Sequence, residues 1–305
     1  MSEPSLEVML GKIRMSNPVM VASGTFGYGQ EYADLVDVQK LGAIVVKGIR
    51  LEPWNGNEVP RMVEVPAGLV NAIGLQGPGV DGFIRDYLPF LNTTGVPAII
   101  NIWGTTVEEY AEVAARFDGV PGIAGLELNV SCPNVKEGGA SFGTDPKRMA
   151  EVVAAVRRRT SLTLLTKLAP NISDARVFAR AAVEAGSDAL SISNTLPAMV
   201  IDIETRRPVL ANRVGGLSGP ALHPVAVKLV WDAAQAVRVP IVGMGGIFEP
   251  RDAIEFLVAG ASAVAVGTAN FIDPFTSLRV VDGIADYLRR HGMSSVSELT
   301  GSVVA

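Results

Sequence analysis

Eight short apolar runs, alternating with stretches of helical periodicity, most restrict what this 305-residue chain can fold into. The runs are 19–22 (Val-Met-Val-Ala), 43–47 (Ala-Ile-Val-Val-Lys), 98–102 (Ala-Ile-Ile-Asn-Ile) and 126–130 (Leu-Glu-Leu-Asn-Val). They continue with 163–168 (Thr-Leu-Leu-Thr-Lys-Leu), 189–193 (Ala-Leu-Ser-Ile-Ser), 240–244 (Pro-Ile-Val-Gly-Met) and 263–267 (Ala-Val-Ala-Val-Gly). Strands of this kind, separated by helices, read as repeated βα units around a parallel sheet. The clearest helices are 107–116, 146–159, 175–185, 224–237 and 250–259. Asp145-Pro146 and Glu249-Pro250 place proline at a first helical position, and Gly186 and Gly260 close their helices. Eight units, with no single GxGxxG opening the chain, favour an α/β fold of the (β/α)8 barrel type over a doubly wound sheet. Residues 8–10 and 13–15 around Gly11 predict a small N-terminal hairpin closing the barrel bottom.

Composition narrows the function. The chain is 48% hydrophobic and 19% charged, with no low-complexity segment or Pro/Ser-rich linker, so residues 1–305 read as one domain. A net charge of −5 without a long basic run argues against a nucleic-acid partner. Cys132 is the sole cysteine, which excludes an intrachain disulfide and a cysteine-rich metal site and suits a reducing cytoplasm. His223 and His291 alone make a histidine-rich zinc site improbable, so no metal is expected. No basic leader precedes an apolar core, and no apolar run approaches the roughly 18–20 residues of a spanning helix. A soluble protein is expected.

Three connections exceed the usual length for such units, 48–79, 131–144 and 194–222, and all should project from the carboxyl-end face, where barrels do their chemistry. The second follows Leu126-Glu-Leu-Asn-Val-Ser-Cys-Pro-Asn, where an apolar alternation ends in a polar cluster, and Gly138-Gly139 offers a hinge for a lid. Cys132 could remove a proton or attack an electrophile there, or be a small buried hydrophobe like most free cysteines. Gly243-Met-Gly-Gly-Ile before the helix at Pro250, with Gly267-Thr268 after the last strand, sits where this barrel type recurrently binds phosphate. Lys47 and Lys167 lie in apolar strands, where an ammonium needs an anionic partner. They suit the pyrimidine edge of a flavin, a Schiff base, or a structural ion pair. Asn71, Asn101, Asn129, Asn134 and Asn194 add donor-and-acceptor amides on the same face, suited to a uracil-like ring or to the edge of a flavin, though any single one could serve only to cap a turn.

These residues resemble the dihydroorotate dehydrogenases of class 1, most closely the class 1B catalytic subunit. The segments that carry the likeness are Asn17-Pro-Val-Met-Val-Ala-Ser-Gly-Thr-Phe-Gly, Val46-Lys-Gly, Asn71-Ala-Ile-Gly-Leu-Gln and Asn129-Val-Ser-Cys-Pro-Asn-Val. Lys167-Leu, Ser193-Asn-Thr, Gly215-Gly-Leu-Ser-Gly-Pro and Gly243-Met-Gly-Gly-Ile extend it, in order, along nearly the whole chain. The resemblance implies an FMN-binding barrel that oxidises dihydroorotate to orotate in pyrimidine synthesis, with Cys132 as the base and Lys167 beside the flavin. Ser23, Lys47, Gly48, Asn101, Asn129, Lys167 and Ser193 match positions that hold the flavin ring and ribityl chain. Gly219, Gly245, Gly246, Gly267 and Thr268 match those around the phosphate. Lys47, Asn71, Ala72, Ile73, Gly74, Leu75, Asn129, Asn134, Asn194 and Thr195 match the orotate pocket. Class 2 relatives use serine as base and carry an N-terminal extension, unlike this chain.

The resemblance further implies a second subunit with FAD and a 2Fe–2S cluster that passes electrons to NAD⁺, in a heterotetramer of two catalytic and two electron-transfer chains. A single cysteine agrees with a cluster held elsewhere. The nearest rival is a class 1A-like homodimer using fumarate. A colourless phosphate-binding isomerase or aldolase working through Lys167 is the rival from another class. Trp103 stands where the family pattern has a small residue, and its bulk is expected to repack the pocket side of the third strand.

Overall fold

A computed structural model describes residues 3–130 and 142–304, and in it the eight expected strands close into a parallel barrel. In chain order they are Val19–Val21, Ala43–Ile49, Ala98–Ile102, Ile123–Asn129, Thr163–Leu168, Ala189–Ile192, Ile241–Met244 and Ala263–Val266. We refer to these as the first to eighth strands. Each pairs with its successor, and the eighth returns to the first through Val264↔Val19 and Val266↔Val21.

Side chains of alternating orientation build two apolar layers. Met20, Val45, Ile99, Leu165, Val242 and Ala265 fill the barrel interior, and Leu10, Ile13 and Met15 of the expected hairpin, Val8–Leu10 with Ile13–Met15, pack beneath them. Ile44, Ile100, Leu126, Leu164, Leu190 and Val264 belong to the outer layer, with Phe117, Phe178, Leu229 and Phe256 from the helices. Fully burying such a side chain contributes about 1.5–3 kcal/mol, so this double layer fixes the carboxyl ends of the strands firmly.

The helices Val107–Phe117, Pro146–Arg157, Ala175–Glu184, His223–Ala236 and Pro250–Ala259 stand within two residues of their expected bounds. Local chemistry starts them. Thr106, Asp145 and Asp174 accept from backbone N–H groups of the first turn, and Glu249 with Asp252 forms a capping box. Four further helices stand among the described residues, Gly79–Asp86, Leu88–Thr94, Ala269–Ile272 and Thr276–Arg290; the last packs against the helix Pro250–Ala259 and the first strand.

The two long connections that fall within the described residues are not irregular. Met62–Val65 and Gly68–Asn71 pair as one hairpin, and Leu196–Ala198 pairs with Gly215–Ser218. The two units then join antiparallel through Gly216↔Asn71 into a four-stranded sheet. This sheet forms a roof with a small core of its own, Val70, Ala72 and Leu210. The third long connection, 131–144, with the Gly138-Gly139 hinge, lies outside the described residues except for its end from Phe142. Among the described residues no helix is long and apolar enough to cross a membrane.

Candidate active site

Between the carboxyl ends of the strands and the roof lies a cavity of about 500 Å³, inside the roughly 300–1,000 Å³ common for small-molecule sites. Its wall draws on nearly every motif singled out in the sequence. Ser23 follows the first strand, Lys47 and Gly48 belong to the second, and Asn129 and Lys167 lie in the fourth and fifth. Ser193, Asn194 and Thr195 follow the sixth strand, Gly245 and Gly246 the seventh, and Gly267 and Thr268 the eighth. Asn71, Ala72, Ile73, Gly74, Leu75 and Gly219 enter from the roof side. Cys132 and Asn134 lie outside the described residues. Asn129, in whose strand the described part of that segment ends, stands in register with Lys167.

Two expected neighbours of the cavity sit elsewhere. Asn101 does not line it. The side chain is fully buried, donates from Nδ2 to Glu127 Oε1 at 2.7 Å, and leaves its Oδ1 without a partner among the described residues. Trp103 does not line the cavity either. It is buried behind Gly48, where a Cβ would come within 3.2 Å of Trp103 Cδ1, so the strand absorbs the indole outside the pocket because residue 48 has no side chain.

The two lysines meet different environments. Lys167 Nζ donates to Ser23 Oγ at 3.3 Å and stands 3.7 Å from Glu127 Oε1. The structural ion pair that an apolar strand demands is therefore present, and its partner is Glu127, which the sequence reading passed over. A charged residue inside Leu126-Glu127-Leu128 was the signal that could have found it. Lys47 Nζ, by contrast, makes no hydrogen bond or ion pair among the described residues. Burial lowers its pKa from the usual lysine value, the nearby Arg61 lowers it further, and Glu31 opposes them only in part. An anion bound beside Lys47 would relieve both penalties.

The amides form a connected set. Asn194 Nδ2 donates to Asn129 Oδ1 at 3.1 Å, while Asn194 Oδ1 accepts from the Thr195 N–H at 2.8 Å. This fixes which faces of both amides remain for a ligand. The turn from Ala72 to Leu75 is held from outside: Asn57 donates to Ala72 O at 2.9 Å and to Ile73 O at 3.0 Å, and Trp54 Nε1 donates to Gly74 O at 3.0 Å. Neither Trp54 nor Asn57 could be picked out from sequence, since their role depends on a turn formed about 20 residues downstream of Trp54.

Near the seventh strand the backbone itself is the wall. Gly245 and Gly246 adopt φ of +133° and +67°, and a Cβ on Gly246 would stand 2.8 Å from His223 Cβ and 2.9 Å from Gly219 O. Only glycine fits there, so backbone N–H groups are left open to close approach by a phosphate. Thr268 Oγ1 donates to Ser218 Oγ at 2.7 Å, tying the loop after the eighth strand to the roof.

A dihydroorotate dehydrogenase family model matches residues 5–288. The chain belongs to this family. Among the dihydroorotate dehydrogenases it resembles, the protein from Geotalea daltonii is 55% identical over 303 residues, 99% of each chain. That from Geotalea uraniireducens is 53% identical over 304 residues, 100% of each. That from Desulforudis audaxviator is 54% identical over 295 residues, covering 97% of this chain and 96% of the relative. All three are described as dihydroorotate dehydrogenase B (NAD(+)), catalytic subunit. The family reaction is a flavin-dependent oxidation of dihydroorotate, a step of pyrimidine biosynthesis.

Proposed function

We propose that the cavity holds FMN together with dihydroorotate, and that the chain oxidises dihydroorotate to orotate in the cytoplasm. The observation that carries this is convergence. Lys47, Asn71, Asn129, Lys167, Asn194 and the glycines at residues 245 and 246, drawn from remote segments, line one cavity in a dihydroorotate dehydrogenase. FMN fits the groups present: the wall has a glycine cradle that a Cβ would fill, and a buried lysine and amides stand beside it. Ser23, Lys47, Gly48, Asn129, Lys167 and Ser193 would hold the ring and ribityl chain, and Gly219, Gly245, Gly246, Gly267 and Thr268 the phosphate. Asn101, which does not line the cavity, would act only through its hydrogen bond to Glu127.

When bound, FMN supplies a hydride acceptor. The rest is the work of the chain. Cys132 takes the C5 proton of dihydroorotate, which requires the thiolate, and a thiol of ordinary pKa ~8.5 is mostly protonated at neutral pH. Lys47 meets the substrate carboxylate, and its burial strengthens that attraction. Asn71, Asn129, Asn134, Asn194 and Thr195, with the turn from Ala72 to Leu75, orient the ring so that C5 faces the base. The roof limits access of water from above.

A partner subunit bearing FAD and a 2Fe–2S cluster would supply the route for electrons to NAD⁺, in a heterotetramer of two catalytic and two electron-transfer chains. The similar proteins, described as NAD(+)-linked catalytic subunits, support the link to NAD⁺ and a partner subunit. The test is an anaerobic visible spectrum of the purified chain before and after dihydroorotate. A yellow protein that bleaches supports the assignment. A colourless protein that stays inert after reconstitution with FMN overturns it, and reoxidation by fumarate alone would move it to the class 1A type.

A further inference from the structure

Glu127 takes no part in the steps above, yet it places a carboxylate in the interior of the barrel. It is 0% exposed in the fourth strand, accepts from Asn101 at 2.7 Å and stands 3.7 Å from Lys167 Nζ. Its Oε2 is buried and has no hydrogen-bond partner among the described residues. Strand register builds the arrangement, with Asn101 opposite Glu127 and Asn129 opposite Lys167. As a structural device the group is poor. A buried carboxylate with an unsatisfied oxygen is costly, and buried ion pairs are often matched or bettered by apolar residues of similar volume. Its location gives it another use: Lys167 lines the cavity, and Glu127 contacts Lys167 without lining it.

We infer that Glu127 is a positioning residue that holds the Lys167 ammonium and offsets its charge, and so lowers the reduction potential of the flavin bound beside Lys167. The inference rests on the flavin reading. In the half-reaction dihydroorotate loses a hydride from C6 and a proton from C5, the proton going to Cys132. A flavin held there would supply the acceptor for that hydride, two electrons and one proton in all, and its reduced form would carry one more negative charge. A cation near the ring favours that reduced form, and a carboxylate beside the cation diminishes the effect. NAD⁺ is a weak oxidant, so an unbalanced Lys167 would trap the electrons on the flavin. Glu127 keeps them transferable.

The test is a spectroelectrochemical titration of the FMN-loaded chain and its variants. Glu127→Gln should favour reduced over oxidised flavin at least tenfold relative to the parent, about 30 mV higher for a two-electron couple, with FMN content retained. In a Lys167→Met background the cation that Glu127 offsets is gone, so Glu127→Gln should shift the potential far less than it does beside Lys167. An unchanged potential in folded, FMN-loaded Glu127→Gln overturns the inference. So does an equal shift with and without Lys167, which would show that Glu127 does not act through it. Should Glu127→Gln fail to fold, Glu127→Asp keeps the charge but draws it away from Lys167, and a smaller rise in the same direction is expected; no rise overturns the inference. A parent chain that binds no FMN overturns the flavin reading and this inference with it, an outcome distinct from an FMN-loaded parent with an unresponsive variant.

Discussion

The guanidinium of Arg50 lies 5.0 Å from the centre of the Trp103 ring. It also stands 5.3 Å from the centre of Trp54, and the two indoles meet edge to face with centroids 6.4 Å apart. Glu109 anchors the guanidinium through contacts of 2.9 Å at Nε and 2.7 Å at Nη2. Burial pushes the Glu109 carboxyl up, but hydrogen bonds from Thr105 and the charge of Arg50 outweigh it and leave its pKa lowered. A line of contacts therefore runs from the helix Val107–Phe117 through Arg50 and Trp54 to Gly74 in the substrate turn.

Arg50→Ala breaks that line. Loss of two cation–π contacts and a partly buried ion pair should cost about 2 kcal/mol of stability. The KM for dihydroorotate should rise roughly tenfold while kcat and FMN content change little, because what loosens is ground-state positioning. Steady-state kinetics beside a thermal melt provide the check. A fall in kcat at constant KM would place Arg50 in the chemistry instead.

Lys47 predicts a pH dependence of binding. Its pKa lies below the ordinary 10.5, through burial first and Arg61 second. The charged form, which attracts a carboxylate, is complete below the lowered value and lost as pH rises through it. Orotate affinity should therefore begin to weaken before pH 10.5, and Lys47→Arg should flatten that decline. Orotate dissociation constants measured across the alkaline range decide the matter; a pH-independent affinity in the parent would remove Lys47 from carboxylate recognition.

Cys132→Ala should leave FMN bound and reduce the rate of flavin reduction by dihydroorotate by about 10²–10⁴-fold, the usual contribution of a positioned base. Stopped-flow reduction under anaerobic conditions reports it directly. Near-normal rates would assign the proton to another group.

Gly246→Ala tests the cradle. The new Cβ would press on His223 Cβ and Gly219 O, neither of which is the free end of a flexible side chain, at a φ of +67°. A loss of about 1–3 kcal/mol is expected, together with weaker FMN retention. Gly267→Ala, whose Cβ would meet nothing closer than 3.7 Å, is the control and should retain the fold. Equal FMN retention in Gly246→Ala and the parent would argue against a phosphate at this loop.

Much of the barrel was legible because each strand carries its own signal. The run 98–102 carries isoleucine on both faces and is fully buried, and Asp145-Pro146 announces a helix that starts at Pro146. The roof carried no such signal. Gly215–Ser218 is a strand of Gly-Gly-Leu-Ser whose register partner Asn71 lies 145 residues earlier, and nothing in its composition favours extension. Lys47 and Asn194 were visible because polar groups at strand ends stand out against apolar runs. Glu127 was hidden by the same contrast: one charge among leucines reads as strand, and only the closed barrel shows that it faces Lys167.

The roof has a consequence for how the molecule breathes. Connections at the mouth of a barrel are ordinarily the first places where backbone amides trade hydrogen with solvent. Here the two longest described connections clasp each other through Leu69↔Ser218, Val70↔Leu217 and Asn71↔Gly216. Neither can lift without unfastening the other, so segments that look like loops in the chain should exchange their amide hydrogens as slowly as a sheet, and opening over this side of the cavity becomes one concerted event.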